Sequence, residues 1–556
     1  MSAGKRILRA VELQQPSGQR ATFLVNKDLL PVPREERLWT ALNYWTFWLA
    51  DSFNVNTFMI ASSGVAAGLP WWATWLAVWV GYGCAGCFVA LNAYGGAKYH
   101  IIFASYIRSS FGIYGGLWPT FNRAAMACVW TGVQGFIGGQ AVYTLLLAIW
   151  PSIANLSNGI PSSGTDTAHF LSFFLFMLLL TVAVFFPFHT IRHLFTVKAI
   201  VAPASGIALL VLCLVKAKGA GDLLTEKAAI QGSKLGWEFV GQLMSCIANM
   251  ATLATNAVDF ASRASKPSDV ILPQIISLPF CFAITSLIGI LIGSSTTALF
   301  GEYVWSPLEV MERFLTVEGG ASHGMRAGVA FISIGFIIAQ LGTNVAANTL
   351  SAGADLTSLF PRFLNIRRGG YVAVAVGFAM CPWKLLGSST TFATYLSAYS
   401  VLLSSIVGVM VCHYYTITRQ QLKVHDLYEK EGIYTYWRGI NLRAYAAYIA
   451  GIAINITGMA GQMGATVSLT ATRIYQLSFF TGFGVAFVVY WALCRIWPIP
   501  VPTPDEIAQV PAALATADAR GELRRQETGE SAFGAGAAEK DEKEVDETSR
   551  GAVELV

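Results

Sequence analysis

The chain has 556 residues, 54% of them hydrophobic and only 12% charged, with a formal net charge of +5. That balance excludes a soluble domain and describes a membrane protein with many spans, and nothing in it suggests nucleic-acid binding. The nine cysteines fall in apolar segments. Cys84 and Cys87 have C-x-x-C spacing, but in a Gly-rich span they read as small packing residues, so no disulfide framework and no metal site is expected.

Residues 1–37 form a basic, polar arm carrying Lys5, Arg6, Arg9, Arg20, Lys27, Arg34 and Arg37. It has no apolar core, so it is not a signal peptide, and its charge places it in the cytoplasm. Twelve apolar spans of about twenty residues or slightly more follow. They lie near 38–66, 72–95, 117–149, 167–188, 194–215, 238–262, 272–299, 326–353, 369–386, 388–412, 443–462 and 469–496. Positive charge supports the count: Lys98 with Arg108, Arg192 with Lys198, Arg263 with Lys266, and Arg362 with Arg367 and Arg368 all fall on the arm's side. The loop 150–166 on the opposite side has no Lys or Arg and contains the sequon Asn155-Leu-Ser157. Lys216, Lys218, Lys227 and Lys234 dissent, in a loop long enough to follow the charge rule loosely. From 497 to 556 a Pro-rich turn leads into a charged, small-residue tail that cannot build a core and is expected to be disordered and cytoplasmic. Lys540 and Lys543 in it could accept ubiquitin, through contact of a ubiquitin ligase or arrestin with the termini, but a merely solvating tail is the preferred reading.

Polar residues at membrane depth organise the rest. Asp51, Asn54 and Asn56 interrupt span 1, where hydrocarbon offers no water to satisfy them. They read either as an N-cap or interhelical glue, or as a discontinuous helix lining a midplane site. Span 3 carries Trp130 and Gln134 on one face, with Arg123 two turns below, about 10 Å away. Span 6 holds Asn249, Thr252, Thr255, Asn256 and Asp259; span 8 holds Asn344, Asn348 and Asp355; span 10 is rich in hydroxyls around Phe392 and Tyr395. If spans 1–5 (38–215) and 6–10 (238–412) are inverted repeats, the polar islands occupy matching members of the two halves. Neither span 1 nor span 6 has Pro or Gly at its supposed break, so Asn, Asp and Thr alone carry that inference. Arg123 and Asp259, toward the arm-side ends of spans 3 and 6, are expected to face one another as an inner gate.

The stretches FWLADSFNVNTFMIASS in span 1, CVWTGVQ in span 3, QLGTNVAANTLSAGADL in span 8 and CPWKLL before span 10 resemble the nucleobase–cation symporters. The likeness is to the fungal branch containing uracil, allantoin and uridine permeases and covers about residues 30–500. It implies an all-α membrane fold of twelve helices, a five-plus-five inverted-repeat (LeuT-like) core plus two extra helices, with proton-coupled uptake at the plasma membrane. Carried over by residue, the resemblance puts Trp130 against the substrate ring, Gln134 and Asn348 on its amide edges, and Phe392 on the span 10 gate. Phe53, Asn54 and Asn249 join the substrate site, and Leu396 the gate. Thr343 falls where bacterial relatives place a sodium-ligating hydroxyl, but Gly342 lacks the hydroxyl they carry, which favours protons over sodium. A second Trp that those relatives place in span 6 is replaced by Asn249 or Met250.

The expected function is a secondary active transporter importing uracil or allantoin with a proton, with no cofactor. A carboxamide matches the N–H and C=O edge of such a ring, and an indole face stacks on it without a charged partner. Buried cations other than Arg123 are not expected, so anionic cargo is disfavoured. Asp51, Thr343 and Asp355 are the expected coupling residues, although Asp51 could instead cap a half-helix and stay ionised. Uridine, uric acid, cytosine and thiamine are rival cargoes, and a non-transporting nutrient sensor is a rival of another class. A membrane enzyme would need a His/Asp/Glu or metal cluster at one depth, and the seven histidines are scattered through loops and span ends.

Overall fold

The computed structural model describes residues 12–13, 23–186, 188–220, 229–316 and 320–502. Lys540, Lys543 and the expected disordered tail beyond 502 lie outside them. One large unit comprises Met1–Gln420 and Asp426–Pro500; a second, Gln421–His425 with Val501–Val556, is described only at 421–425 and 501–502.

Within the large unit the described residues are mostly helical. Span 1 is two helices, α1 (Ala41–Ser52) and α2 (Val55–Ala66). Span 2 is α3 (Trp71–Tyr99), followed on the arm's side by the short α4 (Phe103–Phe111). Spans 3 to 5 are α5 (Leu117–Ile149), α6 (Thr167–Phe185) and α7 (Phe188–Ala217). Span 6 is again two helices, α8 (Gly232–Asn249) and α9 (Ala251–Ala261). Span 7 is α10 (Ile271–Phe300), and the short α11 (Pro307–Leu315) follows it on the far side, where the loop 150–166 also lies. Span 8 runs from α12 (His323–Thr343) through a π-helical segment, Asn344–Thr349, into α13 (Leu350–Leu359). Then come α14 (Ile366–Ala379), α15 (Ser389–Val411), α16 (Leu442–Gln462), α17 (Leu469–Gln476) and α18 (Ser478–Ile496). Nine described helical runs are long and apolar enough to cross a bilayer. The two broken spans and the short α14 are not among these nine, and counting them as crossings is consistent with the twelve expected.

Both breaks form without Gly or Pro because side chains serve the backbone groups that a broken helix strands. In span 1 the Asn54 side chain accepts from Thr57 N at 3.1 Å and donates back to the Asp51 carbonyl, capping α2 and holding the end of α1. In span 6 the chain turns at Met250, and the neighbouring Ala248 carbonyl accepts the Tyr399 hydroxyl of span 10 at 2.7 Å. Span 2 serves the second half: Asn92 Nδ2 donates to the Ala254 carbonyl at 2.9 Å. The two breaks meet directly, Asn56 Nδ2 donating to Asn249 Oδ1 at 3.0 Å.

Helices approach closely where glycine allows. A Cβ on Gly132 would lie 2.5 Å from the Gly377 carbonyl oxygen, so spans 3 and 9 touch backbone to backbone. The π segment is held against span 3 by Asn344, whose Nδ2 donates to the Thr131 carbonyl at 2.9 Å. Its wider turn brings Asn344 and Asn348 together, Asn348 Nδ2 donating to Asn344 Oδ1 at 3.1 Å.

Candidate functional site

A small cavity of about 40 Å³ lies between the two breaks and spans 3 and 8, lined among others by Asp51, Asn54, Trp130, Gln134, Asn249 and Asn348. It holds roughly three waters, at about 10–15 Å³ each, so its walls are nearly closed on one another. Trp130 stands beside two rings of span 10, with Tyr395 and Tyr399 at centroid distances of 6.0 and 6.3 Å. Gln134 Oε1 is buried in this wall with no protein hydrogen-bond partner. With its Nδ2 on Asn344, Asn348 keeps its carbonyl oxygen for the cavity.

Other expected site residues line the cavity but spend their amides on the fold. Asn54 caps the break, as above. Asn249 accepts from Asn56 and donates to the Tyr82 hydroxyl at 3.1 Å. Phe53 sits in the break, buried, and is not among the cavity-lining residues. Met250 does line the cavity, at the turn between α8 and α9.

At the arm-side end of the cavity, which it also lines, Arg123 is surrounded. Its Nε and Nη2 donate to the two carboxylate oxygens of Asp355, the Nε bond being 2.5 Å. Nη1 donates to Asn256 Oδ1 at 2.8 Å and lies 2.9 Å from Asp259 Oδ2. The guanidinium also covers the Phe103 ring, 4.1 Å from its centroid. Asp259 uses its other oxygen to accept from the Phe103 backbone N–H at 2.6 Å, at the start of α4. The cluster therefore joins spans 3, 6 and 8 to α4. Arg123 is 2% exposed, Asp259 18% and Asp355 0%. Asp355, read from the sequence as a coupling residue, is thus the bidentate partner of Arg123.

Lys198 corrects the sequence reading. The sequence counts it among the arm-side charges, near the start of span 5 (194–215), and no buried cation beyond Arg123 is expected. It lies instead ten residues inside α7, 3% exposed, with Nζ donating to Thr343 Oγ1 at 2.7 Å. Among the described residues it forms no ion pair within 4 Å, and the Asp51 carboxylate acts on its charge only through space. Gly342 makes the room: a Cβ there would lie 2.8 Å from Lys198 Cδ. Arg108 is a second buried cation, with Nη1 donating to the Leu24 and Leu427 carbonyls at 2.9 and 3.1 Å. The signal in the sequence was the pair Gly342–Thr343, which showed a missing hydroxyl but not the ammonium beside it.

On the far side, Phe392 and Leu396 are both buried and neither lines the cavity. Phe392 packs on Trp305, with ring centroids 6.1 Å apart and planes at 34°. Trp305 was missed by sequence reasoning because it lies in a loop outside every motif.

Comparison with known proteins agrees with this architecture. Residues 31–482 match the family model described as permease for cytosine/purines, uracil, thiamine and allantoin. The chain is 47% identical over 479 residues to an uncharacterized permease of Schizosaccharomyces pombe, covering 86% of this chain and 81% of the relative. It is 43% identical to the allantoin permease and 41% identical to the uracil permease of Saccharomyces cerevisiae, each comparison covering 86% of this chain and 77% of the relative. Among solved structures it resembles Mhp1, a nucleobase-cation-symport-1 family transporter in a closed conformation with bromovinylhydantoin bound. The TM-score is 0.70 at 22% identity, over 87% of this chain and 98% of that one, a likeness of fold. The chain is a multi-pass membrane permease rather than an enzyme, and it belongs to the nucleobase–cation symporter family.

Proposed function

We propose that this permease imports a neutral ring amide, uracil or allantoin, together with a proton across the plasma membrane, with both termini in the cytoplasm. The observation that carries the cargo is the pairing of the Trp130 ring with the unpartnered Gln134 Oε1 and the Asn348 carbonyl in one wall. An unpaired buried acceptor is costly, and a ring N–H relieves it; the indole supplies the stacking face. Arg123 and Lys198 are each committed to protein partners, so no cation is left over for an anionic cargo here. The fungal relatives named for allantoin and uracil support the same class, and their near-equal identities favour neither.

The Lys198 contact supports proton over sodium coupling. Its ammonium occupies the Thr343 hydroxyl that a bound sodium would need, and a second cation beside it would be repelled. A hydroxyl-bearing residue at 342 would press on the lysine stem, so that ligand and this placement of the lysine compete for the same space. Asp51 then carries the proton, since protonating it removes the negative charge that acts through space on Lys198, the residue bonded to span 8 at Thr343. The arm side is cytoplasmic by its positive charge.

Radiolabelled uptake by cells expressing the chain tests this, with a panel of pyrimidines, purines, uridine, thiamine and allantoin. Uracil or allantoin should enter saturably, faster at acid external pH, with collapse on adding a protonophore and no change when choline replaces sodium. Strict sodium dependence overturns the coupling; uptake confined to purines or thiamine overturns the cargo.

A further inference from the structure

Above Phe392, on the far side, the fold holds a second and larger cavity of about 390 Å³. That size falls within the roughly 300–1,000 Å³ of small-molecule sites, whereas the central cavity in this arrangement does not. Its walls include Trp305, Ser306, Glu309 and Glu312 from α11 and the loop before it, and Gln140 and Thr144 from span 3.

Two polar atoms in these walls lack protein partners. Gln140 Oε1 is buried without a hydrogen bond, and so is Ser306 Oγ. The second is unexpected, because Ser306 is the N-cap of α11, a position where a serine hydroxyl ordinarily accepts from the first turn. The composition also repeats that of the central site, an indole with a carboxamide on span 3: Trp130 with Gln134 there, Trp305 with Gln140 here. Gln140 follows Gln134 by six residues, a rise of about 9 Å along the helix.

Charge in the cavity excludes an anion. The side chain of Arg313 is held by Glu309 Oε1 at 2.7 Å and Glu302 Oε1 at 2.5 Å. Partial burial works against its charge, but these hydrogen bonds outweigh it and raise its pKa, so it stays a cation spent on carboxylates. Glu309 and Glu312 line the space as acceptors and favour a ligand carrying N–H donors.

We propose that this far-side cavity is a second binding site for the same ring amides, stacked on Trp305 and hydrogen-bonded to Gln140 and Ser306, which cargo occupies before the central site. The proposal rests on the cargo class proposed above. Its place relative to the gate is set by Trp305, which lines this cavity and lies against Phe392. A ring on Trp305 therefore bears on the residue that must move for it to descend.

Saturation binding of radiolabelled uracil and of allantoin to the full chain in lipid nanodiscs tests it. Wild type should bind one of these probes in two phases, the weaker adding a second equivalent. Gln134→Ala should remove the tight phase and keep the weak one. Gln140→Leu and Ser306→Ala should each weaken the second phase about ten-fold or abolish it and leave the tight phase in place. Ser306 makes no side-chain hydrogen bond, so its replacement spares the fold, and an unchanged thermal midpoint verifies this for both variants. A single phase in wild type overturns the second site, as does a weak phase that neither variant alters. If neither probe binds wild type at all, the cargo class fails and the second site with it.

Discussion

At the residue scale, the ammonium of Lys198 and the missing side chain of Gly342 are two parts of one contact. Lys198→Gln keeps an N–H donor, one atom shorter, near Thr343 Oγ1 but removes the positive charge on which Asp51 acts. Uptake in that variant should lose most of its response to external pH and to a protonophore, whether or not a slow downhill flux remains. Gly342→Ser should impair transport several-fold or more, because its Cβ would press on the lysine stem at 2.8 Å, and Lys198→Ala in the same chain should relieve part of the loss. Initial rates at several pH values check both. An unaltered pH profile in Lys198→Gln would remove Lys198 from coupling. The amides of the central site divide in the same experiment. Gln134→Ala or Asn348→Ala leaves the ring edge unpaired, costing roughly 1–3 kcal/mol, so apparent affinity should fall about ten-fold at ~1.4 kcal/mol per decade. Asn54→Ala should instead lower stability by about 0.5–2 kcal/mol as a lost helix cap, visible as a lower thermal midpoint.

At the element scale, what was legible depended on whether a feature changes composition. The break in span 1 was readable because a run of Asp, Ser and Asn is conspicuous in an apolar helix, and Asn54 alone supplies both capping bonds. The π segment at Asn344–Thr349 was not, since a π turn uses the same residues as an α turn and differs only in which carbonyl each N–H reaches. Lys198 was misplaced for a third reason. Helix α7 starts six residues before the apolar run does, and about 9 Å of helix is enough to move a lysine from the arm-side end of a span into the bundle's interior. Phe392 was read as a lid from its place in a hydroxyl-rich stretch, but its partner Trp305 lies in a loop that no periodicity marks. Their packing makes a specific expectation. Phe392→Ala should free the Trp305 ring that packs on it and admit bulkier purines, while affinity for the native ring stays within a few-fold. Competition by a purine panel measures this, and an unchanged substrate range would take Phe392 out of the gate.

At the scale of the whole molecule, alternating access needs a closure that can be undone, and the Arg123 cluster is placed to provide one. Three spans and α4 meet on a single guanidinium, so separating any of them from the others breaks a buried, charge-assisted bond. The two carboxylates are not equivalent. Asp355 is fully buried and grips the guanidinium with both oxygens, whereas Asp259 offers one and spends the other on the start of α4. Exchanging charges between Arg123 and Asp259 should therefore fail to restore transport, because Asp355 would then face an aspartate at 123. Removing one partner of a buried pair costs about 3–5 kcal/mol, and here the cost should fall mainly on the closed state. Asp355→Asn should accordingly abolish uptake or reduce it at least ten-fold and shift the population toward arm-side opening, with Asp259→Asn milder. Arm-side opening is measurable with an impermeant thiol reagent added to inside-out vesicles, following Cys128, which is buried one turn above Arg123 beside Ala352. Faster labelling in Asp355→Asn than in Asp259→Asn, and in both than in wild type, is the expected order. Equal labelling in all three, with transport lost, would mean that the cluster only holds the bundle together.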